Sequence, residues 1–108
     1  MKLPKVVRIG AHKFPLMVVE QVAGSDDYWG MYYPHGNGQK IELSNALEGS
    51  HLAECTLHEL AHAIVDEAGY EFPSDEDEEK FVESFSKVLT QFFKDNKTCV
   101  RAILTALK

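Results

Sequence analysis

Residues 50–69 read SHLAECTLHELAHAIVDEAG, and at this stretch the period of the chain changes. Ala53, Leu57, Leu60, Ala61, Ile64 and Ala68 recur at the three- and four-residue spacing of one helix face. Ser50 is a residue type that caps a helix N-terminus, and Gly69 one that ends a helix. Upstream the chain reads as strands. Val6 to Ile9 and Phe14 to Glu20 are short apolar runs parted by Gly10, and Tyr28 to Tyr33 is a third. Lys40 to Leu43 follows the turn signal Pro34-His35-Gly36-Asn37-Gly38. That spacing predicts a small antiparallel β-meander of three or four strands. Downstream, a second, long helix begins behind Pro73, with Ser74 as N-cap and Asp77 three residues on. Its apolar residues Phe81, Phe85, Val88, Leu89, Phe92 and Phe93 are expected in the core. A break at Asp95-Asn96 leads to a short last helix with Val100, Ile103, Leu104 and Leu107 facing inward. A sheet followed by helices is an α+β plan, and 108 residues are expected to form one domain, 1–108.

Composition narrows the function classes. Eleven basic residues against 17 acidic give a net charge of −6. No Lys/Arg-rich stretch is present to neutralise several phosphates, so nucleic acid is not the expected partner. No apolar run approaches the roughly 20 residues of a membrane span. With two cysteines, Cys55 and Cys99, and no secretory signal in MKLPKVVRIG, reduced thiols and a cytoplasmic location are expected.

Within the helical stretch, His58-Glu59-Leu60-Ala61-His62 matches H-E-x-x-H. Two histidines four apart share a helix face, about 6 Å apart along the axis, so both rings can meet one zinc ion. Glu59 projects about 100° to the side of His58, which suits a general base acting on a metal-activated water better than a ligand. Thr56, Leu57, Leu60, Ala61, Ala63 and Ile64, the residues around these three, are uncharged, as a buried metal helix requires.

A catalytic zinc site takes a third protein ligand and keeps one position open. All five histidines lie at or before the motif, so a third histidine cannot follow it; Val65 and Ala68 stand where the longer H-E-x-x-H-x-x-G-x-x-H pattern puts Gly and His. Asp66 is about 12 Å along the axis from His58 and too far to close the site. A carboxylate from the second helix remains. That helix opens with Asp75-Glu76-Asp77-Glu78-Glu79, followed by Glu83, and most of these acids simply complement the helix dipole. Glu79 lies about 130° from the apolar centre of its helix, the same flank position the histidines hold on theirs. Glu78 projects into the apolar face and Glu83 points further to solvent, so Glu79 is the preferred ligand, with Glu83 and Glu78 as alternatives. Glu83 shares the Glu79 stripe and could accept a ligand histidine's second N–H.

His58-Glu59-x-x-His62 with a helical glutamate downstream resembles the gluzincins, the thermolysin-like zinc metallopeptidases. Thr56 to His62, with Glu79-x-x-x-Glu83-x-Phe85, is similar to the minimal gluzincins of the ImmA/IrrE type and to small phage and bacterial proteins with the same core. The resemblance spans about residues 41–95 and departs at Glu83, where ImmA/IrrE proteins usually carry Asn. It implies one Zn2+ ion held by His58, His62 and Glu79, with Glu59 as general base, hydrolysing an amide bond in a protein or peptide substrate. The alternative is a non-catalytic zinc-bearing module that binds a protein partner, to which Glu59 is dispensable.

Hydrolysis also needs a donor for the developing oxyanion. Tyr28, Tyr32, Tyr33, Tyr70, His35 and His51 are candidates. Ile41-Glu42-Leu43, ahead of the metal helix, is the expected sheet edge for a peptide. Cys55 reads as a small buried thiol, and Trp29 with its neighbouring tyrosines as packing for the sheet.

Overall fold

The computed structural model describes residues 2–34, 36 and 38–107. Four strands come first: β1 (Val6–Ile9), β2 (His12–Val19), β3 (Gly30–Tyr33) and β4 (Lys40–Ser44). Three helices follow: α1 (Gly49–Glu67), α2 (Asp75–Asp95) and α3 (Lys97–Ala106). The sheet-then-helices α+β plan is the one the sequence predicts. The sheet itself is mixed, in the order β1-β2-β4-β3. β1 pairs antiparallel with β2 and β3 antiparallel with β4, but β4 lies parallel to β2, with Leu16 opposite Ile41. Burial explains the departure from a simple meander. Ile41, Glu42, Leu43 and Ser44 are all buried, so β4 takes the interior position where both faces are covered. Gly30 to Tyr33 are half-buried and form the edge.

One face of the sheet meets α1. Ile9, Phe14, Leu16, Ile41, Leu43 and Leu47 form the core with Ala63 of the helix. Ala61 and Ala63 are small, so the α1 backbone lies close to the strands. The start of α1 departs from expectation: the helix begins at Gly49 behind Glu48, with no side-chain cap, and Ser50 is inside it. Its end is as predicted. Gly69 takes φ +76°, its N–H reaches the Asp66 carbonyl and that of Tyr70 the Val65 carbonyl, a Schellman motif. Ser74 caps α2 by accepting the Asp77 N–H at 3.1 Å.

The largest correction concerns α2. Of the described strands and helices, only α1 and α3 pack on it. Val82 and Ser86 are buried, whereas Phe81, Phe85, Val88, Phe92 and Phe93, expected in the core, are 38–65% exposed. The helix is rotated so that the stripe Glu78-Glu79-Val82-Ser86 meets α1, and among the described residues no second layer covers the phenylalanines. On α3, likewise, Ile103, Leu104 and Leu107 are more than half exposed rather than turned inward.

Candidate metal centre

The α1–α2 packing decides the site. His58 and His62 lie one turn apart on α1, their ring centroids 5.0 Å apart. The rotation of α2 that buries Val82 and Ser86 lays Glu79 across both rings. Glu79 Oε1 is 2.9 Å from His58 Nε2, and Oε2 is 2.9 Å from His62 Nε2. One donor atom from each of the three residues falls within 4.8 Å of the others. Two imidazole nitrogens and a carboxylate form a zinc-type donor set. Bonds of about 2.0–2.1 Å around a tetrahedral ion hold donors roughly 3.3 Å apart, and the two Glu79–histidine spacings of 2.9 Å lie a few tenths of an ångström from that. Glu79 is 54% exposed at its side chain, while the histidines are 22% and 14% exposed. The centre is therefore open to solvent on the α2 side.

The alternatives to Glu79 separate cleanly. Glu78 does not join the cluster; its Oε2 lies 2.7 Å from His62 Nδ1, the nitrogen facing away from Glu79. It thus has the orienting role the sequence suggested for Glu83. Glu78 reaches inward because the stripe that meets α1 is offset from the apolar stripe of the helix. Glu83 faces solvent and pairs with Lys87 at 3.3 Å. On the other histidine, Ser86 Oγ stands 3.5 Å from His58 Nδ1.

Glu59 is 9% exposed and lines the same cleft. Burial pushes its carboxyl up to about 7; the Glu79 charge adds to the rise, while His62 and the Tyr32 backbone N–H oppose it. A carboxyl that gains and loses its proton near neutrality is matched to general acid–base work. Gly30 on β3 makes room for it: a Cβ there would come within 3.0 Å of Glu59 Cγ and 3.3 Å of Leu43 Cδ2. Sequence reading missed Gly30, because a close approach between elements leaves no local signal.

The cleft above the centre, about 860 Å3, runs between β3 and α2. Its walls include Tyr28, Trp29, Tyr32, Cys55, Glu54 and Asp75. Tyr28 and Trp29 are half exposed and belong to this wall rather than to the packing of the sheet. Cys55 is half-buried beside the cleft, and burial raises its thiol pKa, which keeps it protonated. Among the oxyanion candidates, Tyr32 gives its hydroxyl to Asp66 at 2.6 Å, and burial and that bond raise its pKa. Tyr33 donates to Glu42, Tyr70 stacks edge-on against Phe72, and His51 packs edge-on against Trp29. His35 lies outside the described residues. Tyr28 lines the cleft with no hydrogen-bond partner for its hydroxyl among the described residues.

The edge expected at Ile41-Glu42-Leu43 is not an edge, since β2 and β3 flank that strand. Glu42 is buried and accepts the Ala23 N–H and the Tyr33 hydroxyl, each at 2.9 Å, which is a structural duty. The open edge beside the centre is β3. Ser44 N–H bonds the Trp29 carbonyl, and the Tyr32 N–H is directed to Glu59, away from β4. By the alternation of an antiparallel ladder, the backbone groups of Gly30 also face outward. No helix is long and apolar enough to cross a membrane among the described residues. The chain matches no protein-family model, no curated protein and no solved structure.

Proposed function

We propose that this chain is a zinc-dependent metallopeptidase of the gluzincin type, in which His58, His62 and Glu79 hold one Zn2+ ion and Glu59 is the general base. The observation that carries the reading is the convergence of two Nε2 atoms and one carboxylate beside a buried glutamate, in a centre open to solvent. When bound, zinc supplies Lewis acidity that activates a water and polarises a carbonyl. Glu59 accepts a proton from the attacking water at its carboxylate, the water oxygen bonds to the carbonyl carbon, and the C–N bond breaks. Glu59 then delivers the proton to the departing nitrogen. Glu78 and Ser86 orient the two imidazoles through their Nδ1 atoms. Tyr28, which lines the cleft with no hydrogen-bond partner for its hydroxyl among the described residues, would be the donor to the developing oxyanion, and β3 is the edge along which an extended peptide would pair at Gly30.

The open α2 side of the centre favours this reading over a non-catalytic zinc module, whose metal would be closed by protein ligands. Two unpaired cysteines accord with a reducing, cytoplasmic setting. The test pairs metal analysis with hydrolysis of an unstructured protein such as casein. The expected result is one zinc per chain in both the parent and Glu59→Gln, with hydrolysis lost only in the variant. Equal hydrolysis by the two chains would remove Glu59 from the mechanism. Stoichiometric zinc without hydrolysis in either would favour the binding module.

A further inference from the structure

The two ends of the cleft differ in how their carboxylates are engaged. β3 and α1 run along it in the same direction: Trp29 meets His51 with ring centroids 4.8 Å apart, Gly30 meets Glu59, and Tyr32 bonds Asp66. Glu54, His58, His62 and Asp66 follow one another at four-residue spacing and line the cleft, with Glu54 at the Trp29 end. Toward the other end the acids are occupied. Asp66 accepts the Tyr32 hydroxyl at 2.6 Å, Glu78 bonds His62, and Asp75 opens α2, where it complements the helix dipole. Glu79 spans both histidines. Glu54, by contrast, is half-buried and has no hydrogen bond or ion pair among the described residues. Lys87 is the one basic residue among the described lining residues, and Glu83 holds it at 3.3 Å. Trp29, on the wall at this end, is 52% exposed.

We infer that Glu54 and Trp29 form a subsite for a cationic side chain, so that the peptide cleaved carries arginine or lysine within two residues of the scissile bond. Reach agrees. Glu54 lies about 9 Å along the α1 axis from the midpoint of His58 and His62. An extended peptide advances about 3.3 Å per residue, so two residues cover roughly 7 Å and the long basic side chain spans the remainder. A half-buried carboxylate binds a guanidinium through two charge-assisted hydrogen bonds, and the indole beside it offers a face to the cation. Arginine fits better than lysine, because its planar fork can do both at once. A neutral side chain would leave the carboxylate unpaired, and an acidic one would meet it with no free cation to receive it. The net charge of −6 attracts the same class of peptide from a distance. The assignment of a substrate rests on the peptidase reading, whereas the subsite rests on the cleft alone.

Trp29 is the chain's single tryptophan, so its emission reports binding at this wall. The probes are two blocked heptapeptides of alanine and serine, one with a central arginine and one with citrulline, its neutral isostere, in that place. Both are titrated into the full chain with chelator and into zinc-loaded Glu59→Gln, and mass spectrometry follows their hydrolysis by the zinc-loaded parent. The arginine peptide should bind at least about tenfold more tightly than the citrulline peptide and be cut within two residues of the arginine. Glu54→Gln should bring the two affinities within about twofold, and Glu54→Lys should reverse their order, with the helical circular dichroism of the parent retained. Should both variants lose that signal, Trp29→Leu, titrated by calorimetry, replaces them and should lower the preference several-fold. Equal affinity of the parent for the two peptides overturns the inference. So does a preference that folded Glu54→Gln keeps, since the general negative charge would then account for it. Preferential binding with neither peptide cut supports the subsite and removes the peptidase reading. Cutting of both peptides without preference supports the peptidase reading and removes the subsite.

Discussion

Replacing Glu59 by Gln should stabilise the metal-free chain, and do so increasingly as pH rises. Glu59 is 9% exposed, and burial lifts its carboxyl from 4.5 to about 7 in the folded chain. Between those values the unfolded chain has released the proton while the folded chain still holds it. The unfolded state therefore binds fewer protons, and stability falls as pH rises from about 4.5 to about 7, levelling off above. Each pH unit in that window corresponds to about 1.4 kcal/mol, which puts the full penalty at roughly 3 kcal/mol. Gln is neutral and keeps an acceptor for the Tyr32 N–H, so it escapes the penalty without leaving that donor unpaired. Urea unfolding of both chains in the presence of a chelator, at pH 5, 6, 7 and 8, reads the difference directly. The stability gap should open toward roughly 3 kcal/mol at pH 8 in favour of the Gln chain, and added zinc should narrow it by stabilising the ionised carboxylate. A gap independent of pH, or one favouring Glu at pH 8, would refute the argument that Glu59 is held in place against a desolvation cost.

Three further outcomes follow from the same geometry. Zinc should raise the melting temperature of the parent in a concentration-dependent way, and Glu79→Ala should abolish most of that rise, measured by calorimetry with and without chelator. Glu78→Gln should leave zinc bound but weaken it about 10- to 100-fold in a competition titration with a chromophoric chelator, because His62 loses its charged orienting partner at Nδ1. Gly30→Val should destabilise the chain by about 1–3 kcal/mol in urea unfolding, since its Cβ would press on Glu59 and Leu43 at 3.0 and 3.3 Å.

The elements themselves were legible because their signals are local. The change from strand alternation to helical spacing at residue 50, the Gly69 stop and the Ser74 cap each depend on a handful of adjacent residues. His58, Glu59 and His62 were legible for the same reason, since one helical turn fixes their relation. Glu79 could be ranked above its neighbours by helical angle, because a helix also fixes the angle between its own residues. The Phe stripe shows the limit of that argument. Periodicity identifies an apolar face but not the surface opposite it, and among the described residues Phe81, Phe85, Val88 and Phe92 stay 38–65% exposed.

What lay beyond the sequence was every relation between elements. That β4 rather than β3 pairs with β2 follows from which strand is buried on both faces, a competition among strands distant in the chain. The exchange of roles between Glu78 and Glu83 follows from the rotation of α2 about its axis, set by Val82 and Ser86 packing on α1. By itself the sequence determined the helices, their ends and which side chains share a turn, since backbone geometry alone dictates these. Tertiary packing decided which strand is the open edge, which acid turns toward the histidines and which apolar face stays bare, since those outcomes depend on surfaces brought together only by folding.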